Sequence, residues 1–169
     1  MEIRNYRKED IEKLVDFTSY MFKVTYKGII NNEYIENFNK RRDERIELEL
    51  KDFDRRCKNV FVLIENEKLI GYIEVDRCKH EKYKDHGEVA MIYLDPFYQG
   101  KGLGRKLFLV GVNRLKEMGY KDFYVGCVRG NESQKFYHHL GGVYVFSKPL
   151  IFGDMYIEDY FYFKDVNMF

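Results

Sequence analysis

The chain reads as one mixed α/β domain. Runs of β-branched and aromatic residues alternate with stretches whose apolar residues recur every three and four positions, the two periods of strand and helix. No linker, internal repeat or low-complexity segment interrupts the 169 residues, a length that fits one core and would cramp two. Residues 1–169 are therefore expected to form a single domain. Hydrophobic residues at 45% and aromatics at 17%, with 14 Phe and 15 Tyr, exclude a disordered chain.

Residues 2–6 predict a short strand. Ile11, Leu14, Val15, Thr18, Met21 and Phe22 then share one helical face. The stretch 23–32, with Gly28 and paired Asn, reads as a loop, and the charged segment 33–50 as a helix with Tyr34, Phe38 and Ile46 turned inward. Val60 to Ile64 and Leu69 to Val75 flank the polar turn Glu65-Asn66-Glu67-Lys68, a hairpin pattern. A further strand, Glu88 to Leu94, stops at Asp95-Pro96, because proline has no ladder donor.

After it, Gln99-Gly100-Lys101-Gly102-Leu103-Gly104 leads into a helix from Arg105 to Met118, whose stripe is Leu107, Phe108, Gly111, Val112, Leu115 and Met118. Lys121 to Cys127 is the next strand. Asn131 and Gln134 have the spacing of a capping box for a helix from Ser133 to Leu140. Val143 to Phe146 and Met155 to Phe163 complete a β-rich tail with a turn at Phe152-Gly153-Asp154. Met155 to Phe163 is read as a sheet edge through which a homodimer can pair.

Twenty-nine Lys and Arg against 28 Asp and Glu leave a formal charge of +1, so no global field draws the chain to nucleic acid or an anionic membrane. The opening residues run straight into charge, without the apolar stretch of a signal peptide or membrane span. Three widely spaced cysteines, Cys57, Cys78 and Cys127, form neither a disulfide framework nor a CxxC pair. A cytoplasmic protein with free thiols is expected. Cys78, His80 and His86 lie close in sequence, but no fourth ligand stands at metal spacing, and no metal is expected.

The residues after the Glu88 to Leu94 strand carry the chemistry. A strand, a turn with alternate glycines and then a helix present unpaired backbone N–H groups and the positive end of a helix dipole, which is an anion site. Glycine lets the main chain approach a phosphate, and Lys101 and Arg105 stand at the rim. A branched side chain at Gly102 or Gly104 is expected to intrude on that phosphate. Lys101 is followed by Gly102 rather than the Ser or Thr of a Walker A loop, and Arg105 stands where the dinucleotide fingerprint needs its third glycine. Nucleotide hydrolases and dehydrogenases are disfavoured.

The segment Gln99 to Gly104 resembles the Gln/Arg-x-x-Gly-x-Gly/Ala signature of the GCN5-related N-acetyltransferase (GNAT) superfamily. Tyr93-Leu94-Asp95-Pro96 resembles the family's fourth strand and its exit, and Asn131 to Gly142, with Phe136-Tyr137 and Leu140-Gly141, its second cofactor motif. The likeness spans essentially the whole chain. It implies a mostly antiparallel, twisted sheet of about seven strands, the fourth and fifth splayed apart, flanked by about four helices. It also implies an acetyltransferase using acetyl-coenzyme A (acetyl-CoA). Backbone groups of Ile92, Tyr93 and Leu94 would then bind the pantetheine arm, the amides from Gln99 through Gly100, Lys101, Gly102, Leu103 and Gly104 to Arg105 the pyrophosphate, and Asn131 and Ser133 the cofactor beyond it.

Acetyl transfer from a thioester needs a neutral amine, and a lysine-like amine of pKa ~10.4 is neutral in only on the order of one molecule in a thousand near pH 7. Glu88, eleven residues before Gln99 as in the family's histone-modifying branch, is the expected general base. Tyr137, the position that the resemblance selects, is the expected acid for the departing thiolate, and an N–H near Ile92 the donor to the oxyanion. Tyr20, Tyr26, Tyr156, Tyr160, Glu158 and Asp159 are candidates for a pocket holding a cationic amine acceptor. A non-catalytic coenzyme A-binding sensor of the same fold stands as the alternative.

Overall fold

A computed structural model describes residues 1–168; Phe169, the last residue of the expected domain, lies outside the described residues. A seven-stranded sheet runs in the order β1-β2-β3-β4-β5-β7-β6, built from β1 (Glu2–Asn5), β2 (Val60–Glu65), β3 (Lys68–Arg77), β4 (Gly87–Leu94), β5 (Phe123–Val128), β6 (Val143–Phe152) and β7 (Asp154–Phe163). Every neighbouring pair is antiparallel except β4 and β5. The helices are α1 (Ile11–Tyr26), α2 (Asn32–Lys40), α3 (Arg42–Arg56), α4 (Leu103–Glu117) and α5 (Ser133–His139).

Both faces of the sheet are covered. Leu107, Phe108, Val112 and Leu115 of α4 pack on Ile73, Val75, Val89, Phe123 and Val125. On the other face, Ile11, Leu14, Phe17 and Met21 of α1 meet Val60, Val62, Tyr72 and Tyr93, with Ile46 and Phe53 of α3 beside them. The β2–β3 turn takes the primed hairpin form, with φ of 47° at Asn66 and 63° at Glu67, so the backbone twist of the flanking strands continues through it.

Several expectations are corrected. The charged segment after residue 32 is two helices, broken at Arg41 and carried on to Arg56, which makes five helices among the described residues. Helix α1 runs to Tyr26, one turn past the expected stop. Gln134 does not close a capping box: Asn131 Oδ1 accepts from Ser133 N–H at 2.9 Å, while Gln134 Nε2 donates to Asp159 at 3.0 Å. The expected dimer edge is interior, because β7 pairs with β5 on one side and β6 on the other.

Strand β6 is one edge of the sheet, with β1 the other, and it continues straight through Pro149, whose Cα partner is Ile157. Arg129 N–H donates to Ile157 O at 2.8 Å, which turns the Ile157 backbone groups toward the β5 side. Pro149 therefore faces its missing donor outward, where a strand tolerates proline and where the gap also discourages pairing with another chain.

Candidate active site

The parallel pairing of β4 with β5 lasts three residues, Gly87 with Phe123, Glu88 with Tyr124 and Val89 with Val125, and then ends. At that point the β3–β4 register slips, since Glu74 faces Met91 while Val75 faces Val89, leaving Ala90 as the extra residue of a bulge. A bulge bends its strand, and here it turns the second half of β4 away from β5. The gap is a cleft of about 290 Å³. Ala90 to Tyr93 form one wall and Gly126 to Val128 the other, with Asn131, Ser133 and Tyr137 on the α5 side and Glu88, Lys148, Glu158 and Tyr160 at the opposite end.

Which backbone groups face this gap follows from the alternation of an antiparallel ladder. Asp95 N–H donates to Ile70 O at 2.9 Å, and Leu94 lies opposite Gly71. Asp95 and Tyr93 thus turn their groups to β3, and Leu94 and Ile92 turn theirs to the gap. The Leu94 carbonyl already accepts from Gln99 Nε2 at 3.0 Å, which ties the glycine turn to the end of β4. Ile92, two residues before Leu94, keeps both its N–H and its C=O toward the cleft. Tyr93 contributes a buried ring instead, packed with Tyr72 at a centroid distance of 5.7 Å.

The glycine turn lies beyond the cleft, at the start of α4. Gly100 and Gly102 have φ of +73° and +75°, with open space where a Cβ would stand. Gly102 caps α4, and its carbonyl accepts from Lys106 N–H at 3.1 Å, so the amides of Leu103, Gly104 and Arg105 precede the first intrahelical donor. Gly104 differs from Gly102: it is helical, and its Cβ direction points inward, 3.6 Å from the Phe136 ring and 3.8 Å from Leu94. Lys101 folds back, donating to Phe97 O at 3.0 Å with its ammonium 4.6 Å from the Phe97 ring centroid. Arg105 is exposed and Leu103 is buried in the core.

Glu88 is 7% exposed and accepts from Lys79 N–H at 2.8 Å. Burial pushes its carboxyl above the ordinary glutamate value; Lys79 and Lys148 pull it back, and Glu158 pushes it further up. Tyr137 is buried, and the loss of water holds its hydroxyl protonated well above the usual tyrosine range, with Cys127 and Tyr26 adding to the effect. Cys127 itself is pushed up to about 12 by burial and by Glu158 and Asp159, which makes it an unreactive thiol.

The aromatic candidates separate in space. Tyr26 and Tyr160 line the cleft with Glu158, whereas Tyr20 is 47% exposed. The Tyr156 hydroxyl accepts from Asn31 N–H at 2.9 Å, pinning the β6–β7 hairpin to the start of α2. Asp159 points away from the cleft into Arg129 at 2.7 Å, Ser147 at 2.7 Å and Gln134 at 3.0 Å. Lys148 is a cleft residue that the sequence reading missed; its position follows only from its pairing opposite Glu158 across β6 and β7. His86 pairs with Asp122, and the His80 ring packs on Tyr83 and Phe146. No group of three His, Cys, Asp or Glu suited to a metal ion occurs among the described residues, and no helix among them is long and apolar enough to cross a membrane.

Comparison with known proteins agrees with this geometry. Residues 26–142 match the acetyltransferase (GNAT) family. A spermidine N(1)-acetyltransferase of Thermoplasma acidophilum is 30% identical over 123 residues, 70% of this chain and 73% of the relative. The uncharacterized N-acetyltransferase YuaI of Bacillus subtilis is 29% identical over 137 residues, 80% and 76% of the two chains. Among solved structures, the PaiA N-acetyltransferase of Thermoplasma acidophilum in complex with coenzyme A superposes with a TM-score of 0.68 at 23% identity, covering 94% of this chain and 96% of that one. An N-acetyltransferase of Staphylococcus aureus gives 0.69 at 22% identity, covering 98% of each. With the parted β4 and β5, the glycine turn and the matched segment all in one chain, the protein belongs to the acetyltransferase (GNAT) family.

Proposed function

We propose that the protein moves an acetyl group from acetyl-CoA to a primary amine of a small molecule or peptide, directly, within a ternary complex. The observation that carries this reading is the gap after Val89 and Val125, into which Ile92 offers unspent backbone groups while Glu88 and Tyr137 line the same cleft. An extended amide-bearing arm can lie along β4 there as an added strand. The turn from Gln99 to Arg105 takes the pyrophosphate on its amides, with Lys101 and Arg105 at the rim, and Asn131 and Ser133 hold the cofactor at the α5 side.

Glu88, with its carboxyl raised by burial, takes the proton of the incoming ammonium, and the freed amine attacks the thioester carbonyl. The oxyanion is steadied by the Ile92 N–H, a donor already in position. Tyr137, held protonated, gives its hydroxyl proton to the departing coenzyme A sulfur, and the extra proton that the attacking nitrogen carries after addition restores the tyrosine hydroxyl. The thiols of Cys57, Cys78 and Cys127 are free, in keeping with a reducing cytosol as the setting. A cationic acceptor fits the carboxylates of Glu88 and Glu158, and the Thermoplasma relative is named for one such amine.

The test is thiol release when purified protein meets acetyl-CoA and a panel of amines: butylamine, 1,4-diaminobutane, spermidine and a peptide with a free amino terminus. Release with at least one is expected. Tight binding of coenzyme A without release for any of them would replace this reading by a binding module.

A further inference from the structure

The end of the cleft opposite α5 already holds an alkylammonium. Lys148 places its Nζ 3.3 Å from Glu158 Oε2 and 4.8 Å from the centroid of the Tyr160 ring. Glu158 is fixed from two further sides. The Tyr160 hydroxyl donates to its Oε2 at 3.0 Å, and its other oxygen lies on the backbone of β5 at Gly126, where a Cβ would come within 2.5 Å of it. Strand β5 forgoes a side chain at Gly126, and that absence is what lets a carboxylate lie in the cleft wall. A carboxylate, an aromatic face and a hydroxyl around one charge make a box for a primary ammonium.

We infer that Glu158, seated over Gly126 and against Tyr160, selects acceptors carrying a second cationic nitrogen, and that Lys148 occupies that place until such an acceptor displaces it. The inference rests on the proposed reaction and names its substrate class: an aliphatic diamine or longer polyamine, the reacting nitrogen at Glu88 and the distal one at Glu158. Both carboxylates line the same cleft and interact electrostatically. Exchange of one ammonium for another leaves the carboxylate paired throughout, and Lys148, 30% exposed at its side chain, has a flexible stem that reaches water. A monoamine of equal length has no charge to replace the one that it would displace, so it must share the cleft with Lys148.

The experiment compares 1,4-diaminobutane with butylamine, using thiol release from acetyl-CoA and three proteins: wild type, Glu158→Gln and Lys148→Met. In the wild type, kcat/KM for the diamine is expected to exceed that for the monoamine at least tenfold, about 1.4 kcal/mol of discrimination. Glu158→Gln is expected to bring that ratio near one, through the diamine KM. Lys148→Met, which removes the internal competitor, is expected to lower the diamine KM several-fold. An unchanged ratio in Glu158→Gln, or a higher diamine KM in Lys148→Met, would overturn the inference while butylamine turnover left the proposed reaction standing. Absence of thiol release from every amine would overturn both.

Discussion

Gly102 and Gly104 look alike in sequence, and the structure gives them opposite roles that one pair of substitutions can separate. Gly102 sits at φ +75° with nothing within 4 Å of its Cβ position, so Gly102→Ala meets no clash and suffers only the strain of a left-handed L-residue, about 1–2 kcal/mol. The alanine can relieve that strain by moving to the extended conformation usual for a helix-capping residue, which swings the preceding amides out of the turn. Coenzyme A binding must then restore the left-handed form. The Kd is expected to rise about 5- to 30-fold, the same 1–2 kcal/mol expressed as affinity.

Gly104 lies inside α4, with its Cβ direction in ordinary contact with Phe136 and Leu94. Gly104→Ala is expected to leave the Kd within about threefold and to gain up to about 1 kcal/mol of stability from helix propensity. Isothermal titration with coenzyme A, paired with thermal melts, reads both quantities. A wild-type Kd for Gly102→Ala, or a tenfold loss for Gly104→Ala, would refute the assignment of these two glycines.

Tyr137→Phe is expected to lower kcat by about 100-fold or more while the coenzyme A Kd changes less than twofold, as rapid-quench and titration measurements would show; an unchanged kcat would remove the hydroxyl from the reaction. The acid limb of the kcat/KM profile is expected above the ordinary glutamate range, since Glu88 must be ionised to accept a proton and burial raises its pKa. Glu158→Gln removes a like charge and should move that limb to lower pH; a shift to higher pH would contradict the pairing of the two carboxylates. Asp10, 1% exposed, accepts from both Arg4 terminal nitrogens at 2.7 and 2.8 Å and from Arg7 N–H at 2.9 Å. Arg4→Met strands this carboxylate and is expected to cost about 3–5 kcal/mol, read as a lower midpoint in urea. Because these bonds hold the Asp10 pKa below its unfolded value, their stabilisation is full above the unfolded pKa and is lost as pH falls through the folded one.

What sequence reasoning reached and what it missed divides by distance along the chain. The β2–β3 hairpin, the stripe of α4 and the stop of β4 at Asp95-Pro96 depend on residues within a few positions of one another, and they lie where the pattern put them. The break at Arg41 was not legible, because the charged segment 33–50 keeps helical spacing on both sides of it. By sequence Pro149 belongs to the connection after the expected strand Val143 to Phe146, yet it lies inside β6, where it is tolerated because the missing donor faces an open edge, which is a property of sheet order.

The glycine turn, and with it the family likeness, was written in six adjacent residues, because left-handed backbone and unpaired amides are local needs that local residue choice meets. The cleft itself was decided in three dimensions. The bulge at Ala90 is defined only against β3, and the gap only by where β4 and β5 part. Glu158 enters the cleft and Asp159 leaves it because neighbours on a strand point to opposite faces, and the register of β7 against β5 sets which face each one meets. Register is a contest among distant partners, and no short stretch of sequence states its outcome.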